Sequence, residues 1–281
     1  MHLIWKNAFG FAAFAATLVS PGAHAAQAGR ERDASSGPLQ APNRRVFTLR
    51  LKDGEYQRLL YVASGPVKAT IVMLPGGAGN VGIAANGSLA HGDNFLVRTR
   101  GLWTAKGFAV VIPDAIGRQS LRGQRHTVRY AHVVERIVAF AEKESKTPVF
   151  LLGTSQGAIA AANAAANAQP GTVAGVALTE SVSRSGGSHE TVFDADLAAI
   201  RVPVLIVANK RDRCPVARPA DAARIAAALS GSPSVTVSTV TGGSDRSGRP
   251  CGSLSPHGYR GMEQRVVGII GRWMLKASTS H

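Results

Sequence analysis

The stretch Phe150-Leu151-Leu152-Gly153-Thr154-Ser155-Gln156-Gly157-Ala158-Ile159-Ala160 is an apolar run that passes through two close glycines into an alanine-rich segment. Residues 148–152 have the length and apolarity of a buried strand, and 156–168 are good helix formers. Between them lies the pattern Gly-x-Ser-x-Gly, in which a serine occupies a sharp strand-to-helix turn and points out of the sheet. The glycines matter because a tight turn leaves no room for Cβ atoms on either side of it. An idle serine at a small-residue turn is the competing reading, and the rest of the chain decides between the two.

A serine hydroxyl becomes a useful nucleophile when an imidazole takes its proton and a carboxylate orients that imidazole. After Ser155, the apolar strand at 202–208 runs into Asn209-Lys210-Arg211-Asp212-Arg213-Cys214, which places Asp212 at a strand's carboxyl end, where catalytic groups of parallel sheets gather. A further strand at 234–240 is followed by a Gly/Ser-rich loop carrying Ser255-Pro256-His257-Gly258-Tyr259. Ser155, Asp212 and His257 are the expected nucleophile, acid and base. Glu180, at the end of the strand at 172–178, is the rival acid. Asp114 precedes Ser155 and reads as a polar loop residue, and Asp245 reads as solvated. His91 is expected in a loop facing the site, with His189 as a second candidate to line it.

Upstream, residues 45–52 and 55–63 flank Asp53-Gly54 and read as a β-hairpin. Residues 69–74 are a continuous apolar strand leading to Pro75-Gly76-Gly77-Ala78-Gly79-Asn80. That loop lacks the Lys-Ser/Thr ending of a phosphate-binding loop and the spacing of a dinucleotide fingerprint, so its better use is to bring bare N–H groups to a developing oxyanion. Helical spacing is expected at 94–106, 128–143, 216–229 and 260–275, a strand at 108–112, and an arginine-rich loop at 115–129. Strands and helices alternate, which predicts an α/β fold: one mostly parallel central sheet with helices on both faces. Only about twenty residues separate the strands on either side of 180–201, too few for a large cap domain. The loops at 81–93 and 180–196 are the expected walls of an open cleft.

The order Gly-Gly loop, Gly153-Thr154-Ser155-Gln156-Gly157, Asp212, Pro256-His257-Gly258 resembles the α/β-hydrolase superfamily over about 45–275, and in particular its small, lidless, exported members. The resemblance implies an oxyanion hole made by the backbone N–H groups of Gln156 and Gly77, or of Ala78 for a register one residue later. It also implies cleavage of a carboxylic ester through an acyl-enzyme, with a peptidase, amidase or thioesterase as alternatives and a non-catalytic envelope binding protein as a rival from another class. The substrate expected is a small-molecule or polymer ester. That chemistry needs no cofactor and no metal.

At 281 residues the chain is long enough for one α/β domain, expected at 44–277 after a loose lead-in at 26–43. Residues 1–25 carry Lys6, an apolar run at 8–19 and Ala23-His24-Ala25, the features of a cleaved secretory signal with no membrane anchor left after cleavage. The mature protein is then expected in the periplasm or outside the cell, where its two cysteines, Cys214 and Cys251, can pair. Two free buried thiols are the alternative. A bond between them would tie the acid loop to the base loop. The net charge of +15 favours anionic partners in general. With aromatics only 6% of the chain and no interleaving of basic and aromatic residues, nucleic acid is not an expected partner. Most of the arginines crowded into 98–136 are expected on solvated faces, with an anionic substrate or the outer surface of an envelope as the second reading.

Overall fold

The computed structural model describes residues 42–51 and 54–279. The expected signal, nearly all of the lead-in and Asp53 of the hairpin turn lie outside the described residues. Eight strands form one sheet in the order β1-β2-β4-β3-β5-β6-β7-β8. Asn43–Arg50 (β1) and Tyr56–Ala63 (β2) pair antiparallel as the hairpin pattern predicts, and β2 pairs antiparallel with Phe108–Pro113 (β4). Ala69–Leu74 (β3), Val149–Thr154 (β5), Gly175–Thr179 (β6), Val204–Asn209 (β7) and Val235–Val240 (β8) continue the sheet in parallel from β4. Every residue of β3, β4, β5, β6 and β7 is buried, which explains their unbroken apolarity: both faces of the sheet are covered.

The two faces carry separate cores because side chains alternate along a strand. Leu151, Leu178 and Ile206 point to one side, against Val134 and Ile137 of the helix Val128–Ser145 (α3), Ala158 and Ala161 of Gln156–Ala166 (α4) and Ile225 of Ala222–Ala228 (α5). Phe150, Leu152, Leu205 and Val207 point to the other, against Val266, Ile270 and Met274 of Glu263–Ser278 (α6) and against Trp103.

Three expected elements change. The helix at 94–106 is two short pieces, Phe95–Arg98 (α1) and Arg100–Thr104 (α2), parted at Thr99. The Thr99 hydroxyl donates to the Phe95 carbonyl at 2.7 Å and accepts from the Trp103 indole at 3.1 Å, a local alternative to the regular ladder. The helix at 216–229 contracts to α5 behind a single 3₁₀ turn at Pro219–Asp221, since Arg218, preceding proline, is held extended. The strand at 172–178 begins only at Gly175. Between β6 and β7 there are two single 3₁₀ turns and no larger element, so no cap covers the sheet among the described residues. The described residues contain no helix long and apolar enough to cross a membrane.

Candidate active site

The carboxyl ends of the parallel strands meet at one edge, and the site assembles there. Ser155 follows β5 directly, with φ 55° and ψ −123°, a conformation that costs a non-glycine residue free energy and that its surroundings enforce. Its N–H donates to the Thr179 carbonyl at 2.9 Å. A Cβ on Gly157 would lie 1.8 Å from the Leu74 carbonyl oxygen, and one on Gly153 would lie 2.3 Å from that of Gly157. Strand β3, the turn and α4 therefore approach as closely as bare backbone permits. Ser155 and His257 line one cleft of about 330 Å³, bounded by residues 75–81 and 90–95 and by Cys251, Ser253 and Gly258.

His257 Nδ1 lies 2.7 Å from Asp212 Oδ2, and both side chains are almost wholly buried. The other Asp212 oxygen accepts from the Cys214 N–H at 2.8 Å. With the Nδ1 proton given to the carboxylate, Nε2 is left with its lone pair. Nε2 is buried and has no hydrogen-bond partner among the described residues, and Ser155 Oγ makes no hydrogen bond among them either. The histidine loop is tied down from three sides. Asn209 Nδ2 donates to the Pro256 carbonyl at 3.0 Å and to that of Gly242 at 3.1 Å. Arg98, paired with Glu263 at 3.0 Å, donates to the Ser253 carbonyl at 3.2 Å and to that of Gly258. The disulfide Cys214–Cys251 joins the two loops across 37 residues of sequence.

Glu180, the rival acid, stands behind this pair and does not contact the imidazole through a hydrogen bond. Its Oε1 accepts from the Asn209 N–H at 2.9 Å, while Oε2 is buried with no hydrogen-bond partner among the described residues. Burial above all, and then the Asp212 charge, hold its pKa well above the usual carboxylate range. Tyr259, fully buried, donates to the Val207 carbonyl at 2.9 Å, and burial with Glu180 nearby pushes its phenol well up. Ligand atoms of Glu180, Asp212 and His257 lie within 4.8 Å of one another, a spacing three metal ligands also have. Here the Asp212 and His257 atoms are spent on each other.

The glycine loop after β3 presents N–H groups to the cleft. Neither Gly77 N–H nor Ala78 N–H has a partner among the described residues, and Gln156 N–H heads α4, where no intrahelical acceptor exists. The carbonyls are held instead: Gly76 by Gly79 N–H at 3.2 Å, Ala78 by Leu121 N–H at 2.9 Å, and Pro75 and Gly77 by the Arg125 guanidinium at 3.2 and 2.9 Å. Arg125 is 1% exposed, an exception to the solvated faces expected of most arginines in 98–136. It is neutralised by Glu190, itself buried at 3.8 Å and accepting from the N–H groups of Gly123 and Arg125 at 3.0 Å each. Nothing in the linear sequence pairs Arg125 with Glu190, because the contact spans 65 residues. Asp114, read as a polar loop residue, is also buried and accepts from the N–H groups of Val81 and Ile83 at 2.8 Å, fixing the start of the cleft wall.

The expected second wall is a correction. Residues 180–196 do not line the cleft, since Val182, Val192 and Ala195 are buried in the core. His189 goes with that segment, whereas His91 does line the cleft. The opposite wall is the disulfide-bonded histidine loop.

No family model matches the chain, and no curated protein matches its sequence. Solved structures do match its fold. An esterase from Pyrococcus furiosus is 11% identical with a TM-score of 0.61, covering 83% of this chain and 91% of its own. A fungal esterase from Rhizomucor miehei is 15% identical with a TM-score of 0.61, covering 85% and 84%. A dienelactone hydrolase from Anabaena variabilis is 14% identical with a TM-score of 0.57, covering 84% and 98%. The chain has the α/β-hydrolase fold that these proteins share.

Proposed function

We propose that the protein is an exported serine hydrolase that cleaves a carboxylic ester with a small acyl group. The observation that carries this reading is the buried His257–Asp212 pair, whose remaining imidazole nitrogen is unpartnered, on a residue that lines the same cleft as Ser155. In this reading Ser155 Oγ attacks the ester carbonyl and gives its proton to His257 Nε2. Asp212 holds the tautomer and stabilises the imidazolium. The amides of Gln156 and of Gly77 or Ala78 receive the oxyanion. Collapse of the tetrahedral intermediate expels the alcohol with the proton from His257. Water, activated by the same imidazole, then hydrolyses the acyl-enzyme and restores Ser155.

The size and lining of the cleft favour a short acyl group. Its volume of about 330 Å³ is at the small end of ligand sites. Asn80, His91, Asp93 and Ser253 line it, and its large apolar side chains are limited to Pro75, Val81 and Phe95, too few to bury a fatty chain. The disulfide fits a compartment where thiols oxidise.

The test is a chain-length series of p-nitrophenyl esters run beside peptide p-nitroanilides, with Ser155→Ala as the blank and a fluorophosphonate probe to label the nucleophile. Turnover highest for acetate and butyrate, lost in the blank, with the adduct on Ser155, supports the proposal. A folded protein that takes no label and turns over no ester is a binding protein on this scaffold. Faster turnover of the anilides would make it a peptidase.

A further inference from the structure

We infer that Arg125 is the positioning residue of the oxyanion hole, and that it makes Ala78 N–H the donor contributed by the glycine loop. The inference rests on the serine hydrolase reading above and adds to it. In a trans peptide the carbonyl of one residue and the N–H of the next point in opposite directions within one plane. The described chain has no cis peptide bond. Arg125 Nη2 takes the Gly77 carbonyl at 2.9 Å, so the N–H of Ala78 on the other side of that plane is turned away from the guanidinium. Ala78 N–H has no partner among the described residues, and Ala78 lines the cleft beside Ser155. The same Nη2 holds the Pro75 carbonyl at 3.2 Å, anchoring the entry to the loop. Nη1 reaches the side-chain oxygen of Gln156 at 3.2 Å, and Gln156 is the residue that supplies the second amide.

One planar group thus reaches both halves of the oxyanion hole from behind. Gly77 has φ 61°, and its Cβ position is open, so no side chain at Gly77 restricts this peptide plane. The positive charge is balanced by Glu190 at 3.8 Å, which makes the role of Arg125 one of orientation more than of field strength. A lysine could replace the charge, but its single ammonium cannot span the Gly77 carbonyl and the Gln156 amide in a fixed plane.

The experiment compares wild type, Arg125→Lys, and Arg125→Met combined with Glu190→Gln, the last removing both buried charges together. Each is measured for kcat and KM on p-nitrophenyl acetate per mole of folded protein, for the rate of Ser155 labelling by a fluorophosphonate, and for thermal unfolding. Loss of one aligned donor costs about 100-fold or more in kcat. The expected result is a fall of about that size in the double variant and at least about tenfold in Arg125→Lys, with KM changed less than about twofold and labelling slowed in parallel. Variants that melt earlier yet keep wild-type kcat per folded molecule would overturn the inference. So would failure of every variant to fold, since Arg125 would then be a strut of the whole domain. An inactive, unlabelled wild type would instead refute the hydrolase reading itself.

Discussion

Replacing Glu180 by glutamine should make the protein more stable at neutral pH and leave it nearly unchanged below about pH 4. The native Glu180 carboxyl is buried beside Asp212 and its pKa is raised well above the ordinary value, whereas in the unfolded chain it ionises near the usual 4.3 or so. Above that unfolded value the native state holds a proton that the unfolded state has released, so stability falls as pH rises, until the native carboxyl also ionises. One proton corresponds to a slope of about 1.4 kcal/mol per pH unit within that window. Glutamine keeps the oxygen that accepts from Asn209 N–H and places an N–H₂ donor where the protonated oxygen stood, so it reproduces the acid's neutral form at every pH. The groups that face Glu180, namely Asp212, His257 and Tyr259, are the same in both proteins and largely cancel in the comparison. Urea denaturation of each protein at pH 4, 5 and 6, followed by tryptophan fluorescence, gives the two slopes. Nearly matching free energies at pH 4, with the variant ahead by about 1 kcal/mol at pH 5 and by more at pH 6, is the expected outcome. Parallel curves, or a variant uniformly weaker, would show that Glu180 is ionised in the native state and would refute the account of its environment.

Reduction of Cys214–Cys251 removes a cross-link worth about 4 kcal/mol in the chain-entropy model, which in a domain of this size lowers Tm by about 8–16 °C. A thermal melt with and without phosphine reductant reads this, and an unchanged Tm would sink it. At 25 °C, helix content by circular dichroism should hold while esterase rate falls, because the bond joins the Asp212 and His257 loops. Arg98→Met frees the Ser253 and Gly258 carbonyls and leaves Glu263 unpaired, so kcat should drop about tenfold or more with KM little altered. Kinetics on p-nitrophenyl acetate would expose the error if KM alone moved. Gly157→Ala forces a Cβ to within 1.8 Å of the Leu74 carbonyl oxygen, and loss of more than about 3 kcal/mol or insoluble expression is expected, checked by denaturation against wild type.

The fold was legible because its central strands, β3 to β7, are apolar runs of five or six residues, and the helical segments between them show a different period in the linear chain. The gathering of Ser155, Asp212 and His257 was legible for a related reason: each lies on a connection that leaves the carboxyl end of a strand, so one edge of the sheet collects them. The braces were not legible. Arg125 with Glu190, Asp114 with residues 81–83, and Arg98 with the histidine loop are contacts between loops, whose partners are set by three-dimensional closure and leave no periodic trace. The wall at 180–196 failed because its buried apolar residues, Val182, Val192 and Ala195, are spaced irregularly. In a loop, apolar residues without a period do not announce that the segment folds down into the core. Helix ends shifted where Thr99 and Pro219 offered the backbone a local alternative, a competition that averaged propensity hides.

The backbone at Ser155 sits in a region that glycine enters freely and serine enters at a cost of about 1–3 kcal/mol. A screen for heat-tolerant descendants of this protein, run without an activity filter, would therefore be drawn toward Ser155→Gly, which relaxes the turn and abolishes the chemistry proposed for it in the same step. Robustness and reactivity are antagonists at this one α-carbon, so selection for the first must be coupled to an assay for the second.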